Sequence, residues 1–569
     1  MNIMKQKNHE KISFLDKIQK SDDKYGWLVL GIYILLLAVV SYFHEPWFDE
    51  AQSWLIARDA SISDIIFYIP HYEGHPPLWH IYLVPFAKFG MPYELRLKLA
   101  AIIINAAAMG LLIFKSPFHK AIRYTIPFTY YFFFLYGVVS RCYSITMLGF
   151  VLMAIAYRER HTKPYRYMLA MLLVCLSTAY GIMICAGVAL IWLIEIIKET
   201  KLRGIFRDRR MHSLAMLLVF VLFTIYLITP KENTYAMNLD EFENPFYIRL
   251  FYMIVLAPLE SLLFTAIPGN YAVMDAAIPG GTIITGSALF AVFALCMFIL
   301  GRTHKKLLVL ILPYSLFAVF ASMFYFTEHH ISVVAYFLLF WFWIVFDDGI
   351  IFEMPKKLRQ KITDSDQKKI KKYLWMFPAV IIGFSLFWNV SASIEDINTN
   401  YCSGREIAGF IKTYNLEEKI IMTEWLNISD DDISAVNIAH QSSPVVLAYF
   451  SDNIFYTFNG GDDRLCYNTH IIPTESDTLA AYEKYRQLGA PDIIIGHPDL
   501  SAIFDNDVSY ADYTLVKVVG EKRISKNDFV RSQSYVRIFM RNDLVPLYNV
   551  QEISPDEWSA IISGQIDPR

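Results

Sequence analysis

The sequence is poor in charge. Asp, Glu, Lys and Arg make up 18% of its 569 residues, whereas soluble globular domains average about 25%. The net charge is −3, so the excess of basic residues that accompanies nucleic-acid binding is missing, and no nucleic-acid partner is expected. The six cysteines form no CxxC or zinc-like pattern, and no internal repeat occurs, which argues against a zinc module and a repeat array.

Apolar length is what the sequence has in excess. Hydrophobic residues make up 55% of the chain, and its mean hydropathy is +0.35. Many segments of about 18 to 20 residues carry almost no charge, which is enough to cross a bilayer core of roughly 30 Å. The predicted fold class is therefore a polytopic α-helical membrane protein. The predicted spans are 25–43, 96–114, 120–139, 142–157, 165–180, 181–197, 211–229, 281–300, 306–325, 330–346 and 372–390.

The basic residues predict how these spans are oriented, because Lys and Arg favour the cytoplasmic side. Loops rich in them, predicted inside, are 158–166, 198–210, 302–306 and 355–372. Loops poor in them, predicted outside, are 44–95, 230–247 and 326–330. The segment 249–267 is apolar, but a crossing there would put a basic loop outside, so we predict an interfacial or re-entrant segment. We expect a multi-pass plasma-membrane protein with a cytoplasmic N-terminal segment, 1–24.

Two regions follow from the change in composition near residue 392. Residues 25–391 form the predicted transmembrane domain, and 392–569 form a predicted extracytoplasmic α/β domain. Within the latter, 401–414 and 475–489 favour helices. The stretches predicted as strands are EKIIMT, PVVLAYF, PDIIIGHP, YTLVKVV and YVRIFMR.

The first outer loop stands out because residues 44–80 are dense in acidic side chains and histidines. Ionisable groups beside a bilayer are costly and tend to mark function. The local signals favour three short interfacial helices, over 50–59, 62–69 and 77–89. This loop is the candidate reaction centre, and the remaining spans would hold it at the membrane surface.

Two acidic residues, Asp49 and Glu50, begin the first of these helices. The simplest interpretation is that Asp49 caps the helix. A second polar cluster, His71, Glu73 and His75, follows about 22 residues later, so short helices could bring the two together. A divalent metal held by the acids and histidines is possible, although the spacing matches no specific ligand motif.

Two further residues have competing interpretations. The prolines of Gly74-His75-Pro76-Pro77 would give a rigid turn before a helix in any protein, but they do not account for His75. A lone Arg141 at a span end usually reaches towards the headgroups. On the same face as His75, it could instead bind an anion through its bidentate fork. His80, one turn further on, is expected on the helix surface.

A family resemblance rests on three motifs: Asp49-Glu50 after the first span, His75-Pro76-Pro77-Leu78, and Ser140-Arg141-x-Tyr143 entering the fourth span. Together they resemble the membrane-embedded GT-C glycosyltransferases, nearest the protein O-mannosyltransferase and aminoarabinose-transferase group. The motifs cover roughly residues 25–200. The resemblance implies a sugar donor on a polyprenyl phosphate at the outer face. It also matches Asp49 with the catalytic base, Glu50 with its acidic partner, and His75 and Arg141 with contacts to the donor phosphate.

The chemistry agrees with that assignment. A lipid phosphate leaves as a stable anion, so transfer needs one carboxylate to accept the proton of the acceptor and cations to hold the phosphate. A single displacement would invert the anomeric configuration. Glu73, Tyr143, Glu328 and His329 are candidate substrate contacts. Many bacterial relatives carry Arg-Tyr where this chain has 326–330, so Glu328 and His329 could equally be plain outer-loop residues.

Other classes of function compete with this one. A flippase or transporter of a lipid-linked glycan would usually show paired repeats and charges at mid-depth, whereas the charges here collect on one face. A receptor displaying the outer domain would leave the loop 44–80 unexplained. The acceptor, which could be a protein, a lipid or a glycan, cannot be named from the sequence.

Overall fold

The protein is a bundle of apolar helices with a small α/β domain at one end. The computed structural model describes residues 24–88, 92–231, 244–263, 280–324, 326, 328–347, 364–423, 442–455, 475–522 and 533–566. The helices up to residue 263 are α1 Lys24–Phe43, α2 Phe48–Asp59, α3 Ile62–Phe67, α4 Pro70–Glu73, α5 Leu78–Ala87, α6 Tyr93–Lys115, α7 Lys120–Thr125, α8 Tyr143–Tyr157, α9 Pro164–Cys175, α10 Ala179–Gly204, α11 Arg209–Ile228, α12 Phe246–Phe251 and α13 Ala257–Leu263. The later helices of the bundle are α14 Gly280–Thr303, α15 Leu307–Met323, α16 Ile331–Phe346 and α17 Asp364–Asn398.

Length and composition are sufficient for a membrane crossing in six of the described helices: α1, α6, α10, α11, α14 and the Pro378–Asn398 part of α17. Helices α8, α9, α15 and α16 are apolar but shorter, at 10–17 residues. Helices α8, α9 and α16 pack deeply inside the bundle, and α16 is almost wholly buried, whereas α15 has one face exposed. Ten of the eleven predicted spans overlap one of these helices, so the polytopic helical class stands.

The third predicted span, 120–139, is not a continuous helix. Helix α7 ends at Thr125, a 3-10 turn covers Ile126–Phe128, and a π-helical turn covers Phe134–Val138. Side chains of other helices hydrogen-bond the irregular backbone: Tyr33 donates to the Phe132 carbonyl at 2.9 Å and Asn389 to the Phe128 carbonyl at 2.8 Å. The apolar run misled the prediction because it gives no sign that the backbone would find partners elsewhere. Irregular backbone is tolerated at membrane depth only where protein satisfies it.

Loops predicted on the same side of the membrane do meet. On the predicted inner side, Arg160 pairs with Glu195 at 3.0 Å, and Lys306 lies 4.7 Å from the ring centroid of Tyr157. On the predicted outer side, His71 Nδ1 is 2.7 Å from the Thr229 carbonyl oxygen. Each contact joins segments that the sequence predicts at the same end of the bundle, and the side on which each loop lies stays a prediction. Half of the basic loop 355–372, residues 355–363, lies outside the described residues.

The segment 249–267 is helical where it is described. Helix α12, a π-helical turn over Tyr252–Leu256 and helix α13 run without a break to Leu263. Tyr314 of α15 donates a hydrogen bond to the Met253 carbonyl at 2.5 Å. The segment therefore packs into the bundle, and whether it crosses the membrane stays open.

The C-terminal α/β domain contains a four-stranded sheet of order β1-β2-β4-β3. Strands β1 Ile421–Thr423 and β2 Ile493–Ile495 pair in parallel, and β4 Gln533–Arg541 runs antiparallel to both β2 and β3 Tyr513–Lys522. The described helices around it are α18 Gly404–Thr413, α19 Ser442–Leu447, α20 Glu475–Leu488, α21 Leu500–Phe504, α22 Val545–Tyr548 and α23 Pro555–Ile562. Four of the five predicted strands are present. PVVLAYF is wrong as a strand: its first residues belong to α19, because a short apolar run does not distinguish a buried strand from a buried helix.

The α/β domain is fastened to the first outer loop and to the start of α6. Arg405 of α18 donates to Glu94 from Nε at 2.9 Å and from Nη2 at 2.7 Å. Tyr449 donates to the same carboxylate at 2.7 Å, and Arg58 of α2 donates to the Phe450 carbonyl at 2.5 Å. The predicted boundary at residue 392 falls inside α17, which continues to Asn398. The last turns of that helix belong to the same polar junction.

Candidate active site

An ion pair between Asp49 and Arg141 lies at the centre of the site. Arg141 Nη1 is 3.2 Å from Asp49 Oδ2, and the two side chains are 18% and 10% exposed, Asp49 being the more open. Burial alone would lower the pKa of Arg141, but the Asp49 carboxylate raises it. Two residues 92 positions apart in the sequence thus meet as an acid and a cation in a sheltered place, as the sequence predicts.

Asp49 is held in the first turn of α2. The helix begins at Phe48, and the backbone N–H of Trp47 donates to the Glu50 carboxylate at 3.1 Å. The N-cap residue is therefore Trp47, its amide is bonded by Glu50 in the first turn, and the prediction that Asp49 caps the helix is wrong. Ser53 closes the turn by donating to the Asp49 carbonyl at 2.7 Å. Because the capping is done by its neighbour, the Asp49 side chain is available to face Arg141.

Glu50 differs from Asp49 in its surroundings. Its side chain is fully buried. Oε1 accepts a hydrogen bond from the backbone N–H of Ser140 at 2.6 Å, and Oε2 lies 3.0 Å from His44 Nε2. The expected pairing of Asp49 and Glu50 as one acidic centre is corrected, because the two adjacent carboxylates face different partners. Glu50 ties the start of α2 to the residue that precedes Arg141.

Histidines border the ion pair. The His75 ring lies 6.2 Å from the Tyr143 ring, and His329 lies 6.3 Å from Trp47 and 4.1 Å from His330, all measured between ring centroids. Burial lowers the pKa of His329 to about 4, with Arg141 and His75 adding to the effect and Asp49 opposing it. The imidazole of His329 is therefore neutral near pH 7. Neutral rings donate and accept hydrogen bonds without competing with Arg141 for an anion.

Glu73 and His80 form a second polar layer. Gln52 of α2 donates to Glu73 Oε1 at 2.7 Å, which connects the two halves of the first outer loop. The prediction that His80 lies on the helix surface is wrong, because it is 4% exposed. Burial and Arg141 lower its pKa to about 4, and Glu73 opposes this. Helix α5 therefore turns His80 inward, towards Glu73 and Arg141.

Tyr143 and Glu328 are the two remaining predicted contacts. Tyr143 is fully buried at the start of α8, with its ring 4.4 Å from that of Tyr136. It supports the wall of the site beside His75. Glu328 lies in the 3-10 turn Glu328–His330, but its side chain is outside the described part of the structure. The same turn is anchored by Tyr136, which donates to the His329 carbonyl at 2.7 Å.

Sequence reasoning missed His44 and Asp396. His44 Nδ1 lies 3.1 Å from both carboxylate oxygens of Asp396, which belongs to the last turns of α17. The position of His44 directly after the first span could have marked it as a candidate site residue. Its partner lies 352 positions away, so local pattern could not identify it.

A metal centre finds no support where the chain is described. The described residues contain no group of three or more His, Cys, Asp or Glu side chains placed to hold a metal ion. In particular, Glu50 gives its oxygens to Ser140, Trp47 and His44. The possible divalent metal between Asp49, Glu50 and the histidines therefore lacks one of its expected ligands.

Comparison with known proteins gives a similarity of fold. No family model matches the chain, and no curated protein matches it. Among solved structures, the fold is similar to ArnT from Cupriavidus metallidurans, whose crystal structure is bound to undecaprenyl phosphate. The two chains are 12% identical, the alignment covers 91% of this chain and 98% of ArnT, and the TM-score is 0.41. At that level the similarity carries no argument about function, and the proposals below rest on contacts within this chain.

Proposed function

We propose that the protein is an inverting glycosyltransferase of the GT-C type. It would move a sugar from a polyprenyl-phosphate donor to an acceptor hydroxyl or amine at the outer face of the membrane. The observation that carries this proposal is the sheltered Asp49–Arg141 pair, 3.2 Å apart, beside the apolar bundle. A base and an anion-binding cation within one hydrogen bond of each other are the two groups that such a transfer requires.

Asp49 is the proposed base. The acceptor oxygen or nitrogen attacks the anomeric carbon of the sugar, its proton passes to the Asp49 carboxylate, and the bond from that carbon to the phosphate oxygen breaks. A positioned general base contributes about 10²- to 10⁴-fold to such a step. The exposure of Asp49, greater than that of Arg141, supports access of an acceptor from the aqueous side.

Arg141 is the proposed phosphate ligand. The polyprenyl phosphate leaves with the electron pair of the broken bond, and a guanidinium stabilises that charge through paired N–H donors. Asp49 then shares Arg141 with the phosphate, so donor binding loosens the ion pair and frees the carboxylate for the acceptor. His75 and His329 are proposed to orient the sugar and the phosphate, and Glu73 and Tyr143 to support them.

The different surroundings of the adjacent Asp49 and Glu50 carboxylates support an inverting course. A retaining mechanism needs two carboxylates about 5–5.5 Å apart, one of them a nucleophile. Glu50 is fully buried and bonded to Ser140 and His44, so it is poorly placed to be that second group. We therefore assign Glu50 a supporting role, in place of the catalytic one that the sequence suggested.

The test uses the full chain purified with native lipids and incubated with labelled polyprenyl-phosphate sugars. Release of lipid phosphate with transfer of the label, lost in D49N, would support the proposal. Normal turnover by D49N would contradict the assignment of the base. Movement of the lipid across the bilayer without bond cleavage would contradict the enzyme and favour the flippase.

A further inference from the structure

We propose that His44 is a positioning residue, which sets the relative placement of Asp49 and Arg141 by bridging Asp396 and Glu50. Its two ring nitrogens face opposite ways: Nδ1 lies 3.1 Å from Asp396 Oδ2, and Nε2 lies 3.0 Å from Glu50 Oε2. The inference deepens the proposed function of the Asp49 site and rests on it. His44 itself touches neither Asp49 nor Arg141 in any contact described above.

Through Glu50, the bridge contacts the backbone next to Arg141 and the backbone next to the helix that carries Asp49. One oxygen of Glu50 accepts from the backbone of Ser140, the residue before Arg141, at 2.6 Å. The other accepts from the backbone of Trp47, which begins the helix that carries Asp49, at 3.1 Å. A displacement of the Glu50 carboxylate would therefore move the acid and the cation relative to each other.

Asp396 anchors the bridge to the rest of the bundle. It is 1% exposed in the last turns of α17, and His44 and Glu50 are fully buried. Three ionisable side chains without contact to water are costly unless each is paired. Such a cluster, when satisfied, holds its members in one arrangement. The end of the last span thus becomes part of the support of the site.

The charges around His44 indicate that the bridge is ionic. Burial alone would lower the pKa of His44, but the carboxylates of Asp396 and Glu50 raise it to about 10. Two cations also face this residue: Lys98 Nζ and Arg405 Nη2 donate to its backbone carbonyl, at 2.6 and 3.2 Å.

Three further groups complete the surroundings of the bridge. Glu45 follows in the chain and pairs with Arg405 at 3.5 Å, Glu94 pairs with both Arg405 and Lys98, and the Tyr401 ring lies 4.9 Å from the imidazole. The cations therefore have carboxylates of their own. An imidazolium between Glu50 and Asp396 is the arrangement that balances the two buried acids.

A pH dependence follows from the raised pKa of His44. The unfolded histidine has a pKa near 6.5, and the folded one is about 10. The stabilisation is fully present below about pH 6.5, falls between those values, and is lost as the pH rises through about 10. The decrease of turnover at alkaline pH should therefore follow the deprotonation of His44.

The experiment compares H44Q, D396N and the double variant with the wild-type protein in the transfer assay. We expect kcat to fall by about 10- to 100-fold in each single variant, because small misplacements of reacting groups have effects of that size. The donor KM should change by less than about threefold, since Arg141 is retained. The double variant should be no worse than the worse single variant, and the alkaline limb near pH 10 should disappear in H44Q.

A matched control exists at the other end of the bundle. His161 also lies between two carboxylates, with Nε2 3.4 Å from Glu195 and Nδ1 3.8 Å from Glu199. H161Q should leave kcat and its pH profile unchanged. Equal losses in H161Q and H44Q, or effects of H44Q and D396N that simply add, would overturn the positioning role.

Two measurements separate this inference from the proposed function. Hydrogen exchange at the Ser140 amide should become at least about tenfold faster in H44Q, whether or not the protein transfers sugar. Nitrogen-15 spectra of histidine-labelled wild-type protein should show a doubly protonated imidazole at pH 8.5, which requires no variant to fold. Suppose that the wild-type protein transfers no sugar, while the Ser140 amide exchanges faster in H44Q and the wild-type spectra show the imidazolium. That result would contradict the proposed function and leave the inference standing. Unchanged Ser140 exchange in folded H44Q, or no imidazolium at pH 8.5, would overturn the inference.

Discussion

Arginine, histidine and carboxylates come together at both ends of the helix bundle, with different results. At the predicted inner end, Arg160 donates to both oxygens of Glu195, at 3.0 and 3.1 Å. Arg210 is bonded to Asp208, Thr200 and Glu199. At the predicted outer end, Arg141 pairs with Asp49 through Nη1 at 3.2 Å.

The difference lies in how the donors are used. Each inner arginine donates to more than one partner at the ends of neighbouring helices. The exposure of the carboxylates there ranges from 12% for Asp208 to 54% for Glu199. These bonds fasten the helix ends to one another. The outer pair makes one ion-pair contact, through Arg141 Nη1, and is bordered by His329, whose ring is neutral at pH 7. The comparison indicates that residue type and burial alone do not mark a site, and that the number of partners each arginine holds is the clearer difference.

The largest expected effect comes from removing the proposed base. D49N should lower transfer by about 10³-fold or more, because the amide cannot accept the acceptor's proton. The matched control is D208N at the inner end, where Asp208 caps α11 by accepting from the Arg210 amide at 2.8 Å. D208N should keep full turnover. A similar loss in both variants would remove the distinction between the two ends.

Removing the outer cation should have the next largest effect. R141Q should lower kcat by about 10²- to 10³-fold, the usual cost of one donor to a developing anion. R160Q, which breaks the bidentate pair with Glu195, should leave kcat unchanged. The readout is release of labelled lipid phosphate by both variants, purified in parallel. An R141Q enzyme with normal kcat would show that the outer arginine is as structural as the inner one.

Stability should separate Glu50 from its inner counterpart. E50Q should destabilise the protein by about 3–5 kcal/mol, because it leaves a buried charge partner uncompensated. E195Q removes a half-exposed partner and should cost at most about 1 kcal/mol. Thermal unfolding in a fixed detergent measures both. Equal shifts in the two variants would mean that burial does not distinguish the two clusters.

The smallest expected effect is on acid stability. The pKa of His329 is lowered to about 4 in the folded state, below the value of about 6.5 in an unfolded chain. The unfolded state therefore binds the proton first, and stability falls as the pH drops from about 6.5 towards 4. In H329Q, the decrease in Tm between about pH 6.5 and pH 4 should be smaller than in the wild-type protein by a few degrees. A curve identical to that of the wild-type protein would contradict the sheltered state of this ring.

The sequence predicts the layout of the site better than the roles of its members. Apolar length and basic loops predict the helices and which loops meet, because both signals are local. The sequence singles out the acid after the first span, Asp49, and the arginine before the fourth predicted span, Arg141, and they lie 3.2 Å apart. The sequence does not predict that Glu50, and not Asp49, bonds the backbone at the start of the helix. That arrangement depends on the Ser140 amide and on His44, which no pattern near residue 50 reveals.

Other misses have the same origin. PVVLAYF and the run 120–139 were assigned from apolar content alone, and tertiary partners decided otherwise. His80 was expected at the surface, since the sequence cannot say which face of a ten-residue apolar helix meets the bundle. In each case the deciding contact is with a distant part of the chain.

The broken stretch 126–138 also bears on how the chain is made. Its exposed amides and carbonyls are satisfied by partners from much later in the sequence: the Tyr130 amide donates to Ser385 Oγ at 3.0 Å, across 255 positions. Tyr336 donates to the Tyr131 carbonyl at 2.8 Å. During synthesis these backbone groups lack their partners until α17, the last helix of the bundle, has left the ribosome. Assembly of the bundle would then finish at its middle, and truncation before residue 385 would leave the newly inserted chain open to quality-control proteases.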